Sequence, residues 1–132
     1  MFISYIRENQ ITVDRICQEL RAYGIDYWID REHINPGQRW QQAMRSAIET
    51  GTCFVACFSD EYTQRSATYM NEELIQAIEQ LRLRPMNRMW FIPVRLSNCQ
   101  IPPLPIGAGE TLRDIQWVDL CTNQVGRGGW LN

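Results

Sequence analysis

Residues 53–58, Cys-Phe-Val-Ala-Cys-Phe, form an unbroken apolar run with no polar residue to mark a solvent face. A strand with one face in water alternates apolar and polar side chains. A continuous run belongs to a strand covered on both faces, as in a parallel sheet between two layers of helices. Parallel neighbours need long crossover connections, usually helices, and the flanking sequence supplies them. Val13, Ile16, Cys17 and Leu20 recur at helical spacing and are closed by Gly24. Trp40, Ala43, Met44, Ala47 and Ile48 make a second stripe that ends at Gly51. A third helix is predicted over 67–83, with Met70, Leu74, Ala77, Ile78 and Leu81 turned inward.

Strands are predicted at 2–5, 25–29, 89–96 and 115–120 besides the apolar run. Pro93 weakens the fourth, because proline is tolerated only at an edge, a bulge or a strand end. The segment 97–109 holds Pro102, Pro103 and Pro105 and reads as irregular; Gly107-Ala108-Gly109 within it reads as a turn. The last twelve residues show no helical stripe. Strand and helix thus alternate, with a loop before the final strand, which implies right-handed crossovers in a mostly parallel sheet. The expected fold is α/β: a flavodoxin-like three-layer sandwich whose five-stranded parallel sheet has the order 2-1-3-4-5. Ligands in such sheets bind beyond the carboxyl ends of the strands where the order reverses. That puts any site between the loops after Tyr5 and Phe58, with the loop after Ile29 beside them.

Bulk properties narrow the function. A chain of 132 residues makes one domain. The net charge of −2 offers no basic face for nucleic acid. All 13 basic residues are arginine. The absence of lysine excludes a P-loop and the lysine of a response-regulator receiver, and the loop Arg7-Glu8-Asn9-Gln10 is not the Ser/Thr/Gly-rich phosphate loop of a flavodoxin. Five cysteines, an odd number with no CxxC pair, suggest neither a disulfide framework nor a zinc site. A reducing, cytoplasmic setting is expected. No apolar run reaches the roughly 20 residues of a membrane span, and no signal-peptide pattern opens the chain.

The residues predicted at the crevice match a family. Phe2-Ile3-Ser4-Tyr5 with Arg7 resembles the opening strand of Toll/interleukin-1 receptor (TIR) domains. Trp28-Ile29-Asp30, then Ile34, Pro36-Gly37 and Trp40, is similar to their second strand and long "BB" loop. Phe58-Ser59, Tyr62, Arg65-Ser66 and Tyr69-Met70-Asn71-Glu72-Glu73-Leu74 resembles the third strand running into a glutamate-bearing helix. Phe91-Ile92-Pro93-Val94-Arg95-Leu96, with Cys99 and Ile101-Pro102, is similar to the fourth strand of bacterial members. The resemblance spans residues 1–120. It implies, for the bacterial type, cleavage of NAD at the nicotinamide–ribose bond to give ADP-ribose or a cyclic ADP-ribose. It also implies a role in antiphage defence, activation by self-assembly through the loop 30–37, and a fused or separate sensor domain. NAD is then the substrate, with no cofactor, no metal, and no direct contact with nucleic acid or membrane. The competing reading is a non-catalytic module acting through TIR–TIR contacts, as in animal adaptors; those commonly lack the glutamate.

Carried over residue by residue, the resemblance makes Glu73 the catalytic group. Helical geometry agrees: at about 100° per residue Glu73 lies at the edge of the stripe centred near Leu74 and Leu81, whereas Glu72 points away. Tyr69, four residues earlier, shares that face and would hold a nicotinamide or ribose ring against the acid. Arg7 either forks onto the NAD pyrophosphate or is a solvated loop arginine. Ser4 and Tyr5 either line the nicotinamide pocket or finish the core. Asp30 either holds the following loop by local hydrogen bonds or caps nothing. Ile34, Pro36 and Gly37 look like the family's movable gating loop. Trp40 reads as core or an assembly contact, and His33, the single histidine, as a solvent-exposed loop residue. Three departures stand out. Tyr69 replaces a frequent tryptophan, Ile6 replaces the first of two arginines, and the usual last helix is missing; with the abrupt start, this suggests a piece of a longer protein or a domain whose edges are completed elsewhere.

Overall fold

The computed structural model describes residues 1–29, 33–34, 36–65, 68–85 and 89–120. Its centre is a parallel sheet of four strands: β1 (Phe2–Ser4), β2 (Phe54–Phe58), β3 (Phe91–Arg95) and, at the far edge, a two-residue strand Val118–Asp119. The order across the sheet follows the chain. The registers are Phe2↔Phe54, Phe54↔Phe91 and Val94↔Val118. Helices α1 (Gln10–Ala22), α2 (Trp40–Thr50), the single turn α3 (Asp60–Thr63) and α4 (Tyr69–Leu83) connect and flank it. The α/β layering with a parallel sheet is as expected from the sequence; the strand lengths are not.

Two faces of the sheet are dry, for the reason the apolar run implies. Side chains alternate along a strand. Phe2, Phe54, Ala56 and Phe58 turn to one face and pack against Met44 and Ile48 of α2 and Met70, Leu74 and Ala77 of α4. Ile3, Val55 and Cys57 turn to the other and meet Val13, Cys17 and Leu20 of α1. An aromatic row crosses the first face: Trp28 on Phe2 at 4.8 Å, Phe2 on Phe54 at 5.2 Å, Phe54 on Phe91 at 5.3 Å between ring centroids. Such offset contacts add about 0.5–1.5 kcal/mol per pair to the area they bury. Ser4 lies two residues after Phe2, so the pleat turns it to the α4 face as well.

The segment 25–29 is corrected from a strand to a single parallel bridge, Trp28 to Phe2. The Trp28 amide donates to Met1 O at 2.7 Å and its carbonyl accepts from Ile3 at 3.0 Å. The start of the segment is spent closing α1. Gly24 takes the left-handed conformation at φ +71°, its amide donates to Arg21 O at 3.0 Å, and Ile25 N–H returns to Leu20 O at 2.8 Å. These two bonds are the Schellman closure of a helix, and they leave too few residues for a full ladder.

The predicted strand 115–120 likewise shrinks to Val118–Asp119. Part of the segment 97–109 is ordered: Pro105–Gly107 and Glu110–Thr111 pair as an antiparallel hairpin, β4 and β5, and the edge strand Val118–Asp119 is then β6. The hairpin turn is Gly107-Ala108-Gly109, with φ values of +102°, +56° and +75°, which explains the two glycines. Pro93 sits inside β3 without breaking it. Leu96, of the same parity as Ile92 and Val94, donates to β2 at Phe58 O. Alternation therefore turns the Pro93 nitrogen toward β6, and the β3–β6 ladder begins only at Val94. The expectations for Asp30 and for the last twelve residues lie outside the described residues.

Candidate active site

The carboxyl end of β1 opens into a cleft of ≈ 450 Å³ bounded by the turn after β1, the loop before α2 and the first turns of α4. Each wall has a local cause. After Ser4 and Tyr5 the chain enters a 3-10 turn at Arg7–Asn9 that leads directly into α1, so Tyr5, Arg7 and Gln10 are presented at the strand end. Helix α4 begins at a Thr68 cap, whose hydroxyl accepts the Asn71 amide at 3.0 Å. That cap fixes where the helix begins, with Tyr69 in its first turn and Glu73 in its second.

Glu73 is 4% exposed, yet it lines the cleft. It stands on the α4 face that also carries Met70, Leu74 and Ala77. Burial of a carboxylate is costly unless hydrogen bonds replace its water. Ser4 Oγ donates to Glu73 Oε1 at 2.6 Å, and Ser4 itself is wholly buried. Tyr69 is 69% exposed at the mouth, one helical turn from Glu73. Trp40, at the start of α2, lies against it with ring centroids 5.2 Å apart and planes at 58°.

A polar network joins the loops after β1 and β2 beside the cleft. Ser59 Oγ donates to Asn9 Oδ1 at 2.7 Å, and Asn9 Nδ2 donates to Glu61 at 2.9 Å. Tyr62 OH donates to Asn71 at 2.7 Å, which ties α3 to α4. At the rim Arg65 reaches Glu8 at 2.9 Å. The guanidinium hydrogen bond holds the Glu8 carboxyl below its ordinary range. Arg7 and Arg65 thus put two guanidiniums on one cleft, one of them already facing a carboxylate.

Five expected residues, Tyr5, Arg7, Ile34, Tyr69 and Glu73, converge on this cleft. Ser4 does not line it; it lies beneath, against Glu73. Gly37 is exposed, with φ +86° and no atom near an added Cβ, and does not border the cleft. Asp30 lies outside the described residues. His33 is exposed as expected, its ring stacked on Trp28 at 5.6 Å. Sequence reasoning missed Trp40, Arg65, Gln10 and Thr68 as cleft residues. Only a pattern was available for Trp40, and a stripe residue at a helix start can turn to core or cleft alike.

A family model described as TIR domain matches residues 1–128. The chain belongs to the TIR domain family. This TIR domain is similar in fold to the TIR domain of the Toll-related Receptor TRR-2 from the lower metazoan Hydra magnipapillata. The TM-score is 0.71 and the identity 17%, over 95% of this chain and 86% of that chain. Among curated proteins none matches it in sequence. Among the described residues no helix is long and apolar enough to cross a membrane.

Proposed function

We propose that this TIR domain is an NAD glycohydrolase that cleaves the nicotinamide–ribose bond. One observation carries the reading: a buried carboxylate, Glu73, opens onto the cleft at the carboxyl end of β1, one helical turn from an exposed aromatic ring. Loss of nicotinamide leaves positive charge spread over the ribose, as in glycoside hydrolysis. A desolvated carboxylate beside that ring stabilises the charge more strongly than one in water. The bonding electrons leave with the pyridinium nitrogen, which becomes neutral, so no general acid is needed. Water then adds to the ribose carbon and gives up a proton, yielding ADP-ribose; attack by the substrate's own adenine yields a cyclic product. Tyr69 and Trp40 supply aromatic surface for a flat ring, and Arg7 and Arg65 supply donors for a pyrophosphate.

The cleft is open on the side of Tyr69, and Ile34 stands in its lining. Self-assembly through residues 30–37 would cover it, with a fused or separate sensor domain as the trigger and antiphage defence as the setting. The same exposed ring favours a second reading, a signalling module in which a neighbouring TIR domain and not a substrate covers the mouth.

The test is NAD consumption by concentrated or artificially clustered protein. The wild type is expected to consume NAD, and Glu73→Gln, which keeps size and removes charge, to lose at least about a hundredfold in kcat. Equal turnover by the two proteins rejects the catalytic role of Glu73. No turnover by the clustered wild type favours the signalling reading.

A further inference from the structure

Ser4 and Glu73 are 69 residues apart in sequence and joined by a 2.6 Å hydrogen bond inside the protein. We propose that Ser4 is a positioning residue: its hydroxyl anchors one carboxylate oxygen of Glu73 to the sheet and so sets the direction in which the acid faces the cleft. The inference rests on the glycohydrolase reading for its kinetic consequence, but not for the contact itself.

The anchor is stiff because of where it stands. Ser4 is the last residue of β1, in register with Ala56 of β2, and none of its surface is exposed. A serine at this place in a sheet needs a reason. Its neighbours on the α4 face, Phe2, Ala56 and Phe58, are all apolar, and a hydroxyl among them is tolerated only with a partner. Glu73 is that partner. The relation is reciprocal: a carboxylate 4% exposed needs donors, and the Ser4 hydroxyl is one. A helix-borne glutamate has three rotatable bonds. Fixing Oε1 from below leaves the group little freedom to swing along the cleft, which is the condition for a carboxylate that must meet charge as it forms.

A hydroxyl that donates to a carboxylate also stabilises its ionised form. The titratable and charged groups that share the cleft lining with Glu73 are Tyr5 and Arg7 from the turn after β1, Arg65 from the loop after α3, and Tyr69 from α4 itself. Removing the Ser4 hydroxyl leaves all four in place. Glu73 in Ser4→Ala should therefore titrate at higher pH than in the wild type.

The experiment pairs two measurements on Ser4→Ala. The first follows the side-chain carboxyl resonance of Glu73 in ¹³C-glutamate-labelled protein against pH, assigned with Glu73→Gln. The second measures kcat and KM for NAD on clustered protein. The expected result is an upward-shifted midpoint, with kcat lower by about tenfold, the factor of one charge-assisted hydrogen bond, and KM within about twofold. A hydroxyl that serves only packing would lower the melting temperature and leave the midpoint where it was; that result overturns the proposal, whatever the rate. The titration needs no turnover. If the wild type proves inactive, the glycohydrolase reading falls while the midpoint still decides the role of Ser4.

Discussion

Trp40 and Tyr69 lie ring against ring across the mouth of the cleft, 5.2 Å between centroids, and so join the start of α2 to the first turn of α4. The pair is tilted at 58°, within the range that aromatic quadrupoles favour over a face-to-face sandwich. One ring is half-buried against the core and the other is mostly in solvent, so the inner ring determines where the outer one stands.

On the glycohydrolase reading, Trp40→Ala should therefore act on NAD binding through Tyr69. The expected outcome is a KM for NAD raised by about tenfold with kcat changed less, as for loss of uniform binding. Stopped-time assays of NAD consumption on clustered protein measure the split. A fall in kcat alone, with KM intact, contradicts it.

Thr68 controls the same helix from its end. Its hydroxyl accepts the Asn71 amide, one of the donors left without a partner at a helix start. Thr68→Ala should cost about 1 kcal/mol of unfolding free energy, readable from urea unfolding. Because Tyr69 and Glu73 ride on the first two turns, the glycohydrolase reading expects NAD turnover to fall with it. Thr68→Ser keeps the oxygen and should retain most of both.

The Glu8–Arg65 pair predicts a pH signature. The Glu8 carboxyl is held below its ordinary value of 4.5, chiefly by the Arg65 hydrogen bond. A carboxyl with a lowered folded value adds stability above 4.5 that is lost as pH falls through the folded value. Wild type should thus melt slightly above Arg65→Gln at neutral pH, and the gap should close in acid. The pair is solvated, so the gap is small and shrinks with salt. Melting curves at several pH values and two salt concentrations check it; a gap that widens in acid refutes it.

Cys57 predicts a signature at the other end of the scale. Burial in the sheet, with Cys17 beside it, pushes its thiol up from 9.0 to about 12. The thiolate is the reactive form, so iodoacetamide at pH 8 should spare Cys57 in the folded protein and reach it only in denaturant, as mass spectrometry of the peptides can show. The unfolded chain loses this proton near 9.0 while the folded chain keeps it. The stability that Cys57 contributes is full below 9.0 and is lost as pH rises toward 12. Cys57→Ala should lose less melting temperature than the wild type across that interval.

Much of the fold was legible because its cause is local. The apolar run at 53–58 required two dry faces, and both are present as separate clusters on either side of β2. The 3.6-residue stripes placed α1, α2 and α4 to within a few residues. Ends were less legible. The segment 25–29 has strand composition, but its first amide closes α1, and among the described residues one bridge remains. The hairpin at 105–111 was hidden by Pro105 and by Pro102 and Pro103 just before it, since proline suits a strand edge as well as a loop.

By itself, then, the sequence determined that helices and strands alternate, which face of each is apolar, and that Glu73 stands at the border of one such face. Periodicity is a property of neighbours along the chain, and these follow from it. Only the tertiary structure decided that Ser4 lies under Glu73, that Trp40 meets Tyr69, and that Arg65 joins Arg7 at one rim. Those relationships depend on how far α4 slides and turns over β1 when the two apolar faces pack. That displacement is fixed by the fit of many side chains from distant segments, and no local pattern records it.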